Sequence, residues 1–157
     1  MPDRGRSDGP QTPRSTLLPE GYLPDLAKGY FSEEGVIRKE YLVTYPDGVS
    51  WSFTGMTYTQ IRSFFAALRV AESAYSNAIE GGVKAKVAEE QLIANVQRLD
   101  GIVTYARGRD RYLVPETFRT FMRKNIEACQ TAKDVLEGFM LHFEAVLGYF
   151  RYNFPNK

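Results

Sequence analysis

From Thr57 to the end of the chain, apolar residues recur with the period of an α-helix, and this pattern constrains the fold more than any other feature. Spacings of three, four and seven residues define the apolar stripe of a first long helix, which ends at Gly81 and Gly82. Its members are Ile61, Phe64, Phe65, Leu68, Tyr75 and Ile79. A second helix is predicted from about Val83 to Ala106, with an inward stripe of Val87, Leu92, Val96, Leu99, Val103 and Ala106.

Two further helices are predicted after this pair. The third begins at Pro115, a residue suited to a first turn, and its inward residues are Phe118, Phe121, Met122, Ile126 and Cys129. The fourth is capped by Thr131, with Asp134 three residues later, and continues to Pro155. Four amphipathic helices with short connections, preceded by a short helix that opens near Pro24, predict an all-α bundle of four to five helices.

The chain before Thr57 carries different signals. Residues 1–19 are rich in proline, glycine and charge, and such a composition cannot bury enough apolar surface to offset the entropy of ordering. We therefore predict a disordered N-terminal arm over 1–19 and a single helical-bundle domain over 20–157.

A possible β-hairpin interrupts this helical plan. Apolar residues alternate on both sides of Pro46-Asp47-Gly48, with Tyr41, Val43 and Tyr45 before it and Val49, Trp51 and Phe53 after it. A Pro-Asp-Gly turn between two alternating runs favours a hairpin insertion over about 36–53, and an irregular loop is the alternative.

Composition excludes several classes of protein. The 157 residues carry a net charge of +1, which excludes a histone-like polycation but permits a local basic face. Cys129 is the only cysteine, so the chain holds neither an internal disulfide nor a cysteine-rich zinc site. No stretch resembles a signal peptide or approaches the ~20 apolar residues of a membrane span, so we expect a cytoplasmic protein that does not associate with membranes. The aromatic fraction of 13% exceeds what a small core needs. Core packing accounts for most of these residues, and an assembly subunit with several contact surfaces would explain the surplus.

Residues suited to catalysis are sparse. His142 is the only histidine and stands in an apolar stretch of the last helix, where a structural role is favoured over catalysis. Glu89 and Glu90 are adjacent and point in different directions, while Glu137 and Glu144 share a face without a Glu-x-x-His motif. The sequence contains no GxxxxGK motif of the kind that binds a phosphate. The sequence therefore indicates no catalytic site, no metal site and no cofactor, and an enzyme using His142 or Glu144 is the least favoured alternative.

Basic residues concentrate in the second half of the chain. From Arg98 to Lys124 there are seven basic residues against three acidic ones, and six of the seven are arginine, which forks onto phosphate oxygens better than lysine. Arg62 and Arg69 lie seven residues apart and project from one face of the first helix. The candidate contacts to a nucleic-acid backbone are Arg62, Arg69, Arg98, Arg107, Arg109, Arg111, Arg123 and Lys124. A solvated charged surface on a structural protein–protein adaptor is the alternative, and the residues leave both open.

Four segments, in the same order along the chain, resemble one family, the small all-helical subunit of the type III-A CRISPR interference (Csm) complex. The segment GYFSEEGVIRKE (29–40) is similar to a Gly-Tyr-Phe-acidic-Gly stretch ahead of the bundle, and MTYTQIRSFFAALRVAE (56–72) resembles the opening of the first long helix. The segments YARGR (105–109) and LVPETFRTFMRKNI (113–126) resemble a Tyr-Ala-x-x-Arg stretch and the Pro-x-x-Phe helix after it. Finally, FMLHFEAVLGYFRY (139–152) is close to the family's C-terminal helix.

This resemblance implies a non-catalytic RNA-binding subunit of an antiviral-defence ribonucleoprotein. Such subunits stack as copies, forming a filament or dimer, beside the repeated subunits that hold the guide RNA. Their basic face lies along the guide RNA–target RNA duplex and supports mainly the target-strand backbone, and cleavage belongs to other subunits of the Csm complex.

The resemblance also assigns residues. Arg62 matches the helix-opening arginine, Arg109 the arginine after the tyrosine, and Arg69 a basic position further along the first helix. The family commonly carries a lysine-bearing stretch just before the Tyr-Ala segment. In this chain Arg98 keeps one positive charge there, but Asp100 stands where a further basic residue is expected. Matches to the C-terminal motif, expected to serve packing and subunit contacts, are Glu144, Tyr149 and Phe150.

Overall fold

The structure, a computed structural model, describes residues 16–110 and 113–157, and these residues form an all-α fold. In chain order the helices are α1 (Tyr22–Leu26), α2 (Tyr45–Trp51), α3 (Tyr58–Glu80), α4 (Ala85–Arg109), α5 (Glu116–Ala128) and α6 (Met140–Asn153). A 3-10 turn covers Lys39–Tyr41, and a π-helical segment, Asp134–Phe139, leads directly into α6. Most of the predicted arm over 1–19, and Arg111, lie outside the described residues. None of the described helices is long and apolar enough to cross a bilayer.

Helix α3 begins and ends where its sequence predicts. Thr57 is the N-cap in extended backbone, and its Oγ1 accepts a hydrogen bond from the Gln60 N–H at 3.2 Å. The Gln60 Oε1 accepts one from the Thr57 N–H at 2.9 Å, which completes a capping box. At the other end Gly82 adopts a φ of 85°, a left-handed conformation that favours glycine and turns the chain into α4.

The predicted second helix is displaced along the chain. Helix α4 starts at Ala85 rather than Val83 and ends at Arg109 rather than Ala106. Val87 is 42% exposed, and Ala88 takes the inward position instead. In the rest of the predicted stripe, Leu92, Val96, Leu99 and Val103 are buried, and Ala106 is half-buried against the core.

The distal end of the α3–α4 hairpin extends past the core. No residue between Ala71 and Ala88 is buried, and Ile79, predicted to lie inward, is 40% exposed. The apolar period of α3 continues beyond the point at which α5 and α6 can cover it. Periodicity therefore predicted the helix correctly but overestimated its buried length.

The predicted β-hairpin over 36–53 is wrong. Among the described residues this segment forms an isolated bridge between Phe31 and Ile37, the 3-10 turn and α2. Pro46 lies in the first turn of α2, where its missing N–H leaves no intrahelical bond unmade, and Asp47 in the same turn faces the positive end of the helix dipole. Gly48 admits Pro19, since a Cβ at this position would lie 2.7 Å from the Pro19 Cγ. Helix α2, which contains Pro46-Asp47-Gly48, was not among the predicted helices.

The last two helices are positioned by the signals predicted for them. All five inward residues predicted for the third helix are buried, although Pro115 is the N-cap of α5 rather than a residue of its first turn. Before α6, the Thr131 Oγ1 accepts from the Asp134 N–H at 3.1 Å, and the Asp134 Oδ2 accepts from the Thr131 N–H at 3.0 Å. The predicted cap is therefore confirmed. Gly138, in the π-helical segment, lets the Tyr30 ring pack directly on the helix.

Candidate nucleic-acid interface

The outer side of α4 carries two of the predicted contact residues. Arg98 and Arg109 are both exposed, whereas Leu99 and Val103 face the core. Steps of four, three and four residues connect Arg98 to Arg109 along the helix, which places both on one side of it. Neither guanidinium forms an ion pair with any residue in the described parts of the chain.

The two arginines of α3 share one face, as predicted, but their surroundings differ. Arg69 lies 3.6 Å from the Glu72 carboxylate and 3.8 Å from that of Glu144 on α6. Its guanidinium also sits 5.1 Å from the centre of the Phe65 ring. Arg62 is exposed and makes no ion pair within 16–110 or 113–157. The pair thus divides into one arginine held between α3 and α6 and one available to an anion.

Arg107 is used within the protein. Its Nε lies 2.5 Å from the Glu116 Oε2, and one terminal nitrogen donates a hydrogen bond to the Val114 carbonyl at 2.6 Å. Arg119, from the next turn of α5, contacts the other oxygen of the same carboxylate at 3.1 Å. These contacts tie the last turn of α4 to the first turn of α5, so the structure gives Arg107 an architectural role.

Two more predicted contacts have acidic partners. Arg123 makes two hydrogen bonds of 3.2 Å to the two carboxylate oxygens of Asp100 on α4. Lys124 lies 3.3 Å from the Glu127 carboxylate. The charges at both positions are therefore compensated locally, although both side chains remain exposed. Partners 23 residues apart, such as Arg123 and Asp100, give no signal in the sequence.

A shallow cavity of about 190 Å³ lies between the start of α3 and the end of α4. Gln60 and Ser63 line it from α3, and Arg109, Asp110 and Leu113 line it from the end of α4 and the following loop. The cavity places the free guanidinium of Arg109 beside polar groups of the neighbouring helix. Sequence analysis missed it because its walls come from segments about 50 residues apart.

His142, the one candidate general base, is sealed in the core. Its Nδ1 lies 2.6 Å from the Tyr41 carbonyl oxygen and its Nε2 lies 2.7 Å from the Tyr22 hydroxyl. Burial lowers the pKa of His142 to about 4, so the ring is neutral at physiological pH. With both nitrogens engaged and the side chain fully enclosed, the imidazole has a structural role.

The other chemical candidates are also accounted for by the fold. Glu144 is exposed and pairs with Arg69. Cys129 is buried, and burial raises the pKa of its thiol. Across the described residues, no group of three or more His, Cys, Asp or Glu side chains is placed to hold a metal ion.

These features define a small helical protein whose candidate site is a set of exposed arginines on two packed helices. Residues 38–156, most of the chain, match the family model Csm2 Type III-A. The chain therefore belongs to this family and is a small structural subunit of the type III-A CRISPR (Csm) complex, whose other subunits are its partners. No curated protein and no solved structure matches the chain.

Proposed function

We propose that this subunit binds the guide RNA–target RNA duplex without cleaving it, and that copies of it stack along that duplex. Arg62, Arg98 and Arg109 are the principal contacts, and they hold mainly the backbone of the target strand. The observation that carries this proposal is their common state: all three are exposed and lack an acidic partner in the described structure. A guanidinium without a carboxylate partner can bind a phosphate without first breaking an ion pair.

Recognition of the backbone suits the task of this complex. A subunit that serves every guide must accept every target sequence, and phosphate contacts position a strand without reading its bases. The remaining predicted residues have secondary roles in this proposal. Arg69, Arg123 and Lys124 add positive potential near the strand, Arg107 maintains the end of α4, and Arg111, outside the described residues, is a further contact.

The test measures the affinity of the purified chain for a guide RNA–target RNA duplex at two salt concentrations. It compares the wild type with single alanine variants of Arg62, Arg98 and Arg109 and with the triple variant. Each variant should bind several-fold more weakly, and the slope of log affinity against log salt should fall by about one per arginine. Lys86→Ala is the matched control, because it removes the same charge at the opposite end of α4. Wild-type affinity in the triple variant would refute the assignment.

Protein–protein contact without RNA binding is the second candidate function. It is favoured by the apolar side chains at the distal end of the α3–α4 hairpin, where Ile79, Val83 and Val87 are 40%, 38% and 42% exposed. Reversal of charge at Arg98 and Arg109 separates the two candidates. An adaptor would still assemble with its partners and leave RNA association unchanged, whereas the proposed RNA-binding subunit would assemble but lose target RNA.

A further inference from the structure

Between Arg98 and Arg109, the exposed side of α4 carries two large apolar residues and two glycines. Tyr105 is 70% exposed and Ile102 is 51% exposed, and both lie on the same side of the helix as the two arginines. Gly101, seven residues before Gly108, borders this stripe on the solvent side.

Nothing within the described protein explains these residues. Tyr105 makes no ring contact, and its hydroxyl makes no hydrogen bond with any described residue. A Cβ at Gly101 or at Gly108 would meet no atom within 4 Å, so packing does not require glycine at either position. Because glycine weakens a helix interior, Gly101 reduces the stability of α4 with no compensating contact, whereas Gly108 lies in its last turn.

The arrangement resembles a stacking platform more than a solvated helix face. Arg109 lies one turn from Tyr105 and Arg98 lies two turns from it, which corresponds to about 6 Å and 10 Å along the axis. An exposed aromatic ring between two free cations offers a base one flat apolar surface and offers the adjoining phosphates two charges. The missing side chains at the two glycines leave room for a strand to lie close to the helix.

We infer that Tyr105 is a stacking site for an unpaired nucleobase of RNA, with Arg98 and Arg109 holding the phosphates on either side. This inference rests on the proposed function and narrows it, because it requires a base whose face is accessible. In a continuous duplex the base faces are covered by their neighbours, so Tyr105 should matter for an unpaired nucleotide and not for a fully paired duplex.

The experiment uses a single-stranded RNA that carries 2-aminopurine, whose fluorescence falls when its base stacks on an aromatic ring. Wild-type protein should quench this fluorescence. Tyr105→Ala should abolish the quenching and weaken single-strand binding about tenfold, while its affinity for a matched duplex stays unchanged. Tyr105→Phe should retain both properties, because the ring and not the hydroxyl forms the stack. Tyr152→Ala is the control, since Tyr152 is 84% exposed on a different helix and should leave both properties unchanged.

A second variant tests the role of the glycines without weakening the helix. Gly101→Leu replaces a poor helix former with a good one in open space, so the protein should remain folded and become more resistant to heat. Its affinity for the single-stranded RNA should nevertheless fall, because the leucine side chain occupies the path of the strand.

The outcomes separate this inference from the function on which it rests. If Tyr105→Ala binds and quenches like wild type while Arg109→Ala binds weakly, the stacking site is wrong and the backbone-binding function stands. If wild-type protein binds neither RNA at low salt, the proposed function fails and the stacking site fails with it. Unchanged affinity in Gly101→Leu would refute the close approach of the strand to α4.

Discussion

The Tyr22 hydroxyl donates a hydrogen bond of 2.7 Å to the Nε2 of His142, which lies 120 residues later in the chain. The direction follows from the other ring nitrogen, because Nδ1 faces the Tyr41 carbonyl, which can only accept. The Asn125 amide donates to the Tyr22 hydroxyl at 2.9 Å, and the Tyr30 hydroxyl donates to the Asn125 Oδ1 at 2.7 Å. All five residues are buried, so this network makes the N-terminal segment part of the core.

The network predicts sensitivity to mild acid. His142 has a pKa of about 4 when folded, against an ordinary value of 6.5, so the unfolded chain takes up a proton first as pH falls. The contribution of the neutral His142 to stability is fully present above pH 6.5 and is lost as the pH falls towards 4. The free energy of unfolding should therefore drop by about 2 kcal/mol between pH 7 and pH 5. Urea unfolding at several pH values measures this change.

A variant without an imidazole provides the comparison. His142→Gln should be less stable throughout but should lose little further stability between pH 7 and pH 5. Asp25 does not confuse the result: burial opposes its ionisation, but hydrogen bonds from Arg38 and Tyr45 prevail and lower its pKa below 3.8, so it contributes only at more acidic pH. Equal pH slopes in the two proteins would contradict the assignment.

Two glycines near the end of the chain should respond oppositely to alanine. At Gly138 a Cβ would lie 2.5 Å from the buried Tyr30 ring, so Gly138→Ala should destabilise the protein by about 1–3 kcal/mol. At Gly148, inside α6, a Cβ would meet nothing within 4 Å, so Gly148→Ala should stabilise it by about 0.5–1 kcal/mol. Thermal unfolding of both variants measures the signs, and shifts in the same direction would be inconsistent with this packing.

The capping box of α3 should contribute measurably to stability. Thr57→Ala removes the hydroxyl that accepts from the Gln60 N–H, and we expect a loss of about 1 kcal/mol in the free energy of unfolding. Thr59→Ala, an exposed substitution two residues later, should change it by less than about 0.5 kcal/mol. A comparable loss in both variants would show that the cap is not responsible.

Removal of one acidic charge should strengthen RNA binding. Asp100→Asn weakens the paired contact that engages Arg123 and should raise RNA affinity several-fold at low salt, with a steeper salt dependence. The loss of stability should be small, because the pair is exposed to solvent. Glu80→Gln makes the same charge change at the far end of α3. An equal gain there would mean that net charge, and not the freed arginine, is responsible.

The long helices could be predicted because local and periodic signals coincide in them. Thr131 supplies the predicted cap, and Thr57, where the helical period begins, also caps its helix. Pro46-Asp47-Gly48 is different, since the same three residues suit a tight turn and the first turn of a helix. Contact with Pro19 and burial of Val49 accompany the helix, and these tertiary contacts cannot be read from the local pattern.

The candidate site was predictable only in part. Arg62 and Arg69 were placed on one face of α3 by their spacing alone, and that placement is confirmed. Which of them is free depends on Glu144, 75 residues beyond Arg69 and on another helix, so sequence could not distinguish them. Tyr105 lies in a segment that resembles the family, but its sequence gives no sign of a binding role, because an exposed aromatic residue cannot be recognised until the buried ones are known.

The unburied stretch between Ala71 and Ala88 makes the molecule unevenly rigid. The last turns of α3 and the first of α4 can open without exposing core side chains, so their amide hydrogens should exchange with solvent through low-energy local fluctuations. The amides around the buried Asn125 and His142 should exchange only through global unfolding. The protein therefore combines a stiff body, which holds the arginines in place, with a compliant end that can adjust to whatever lies beside it in the assembly.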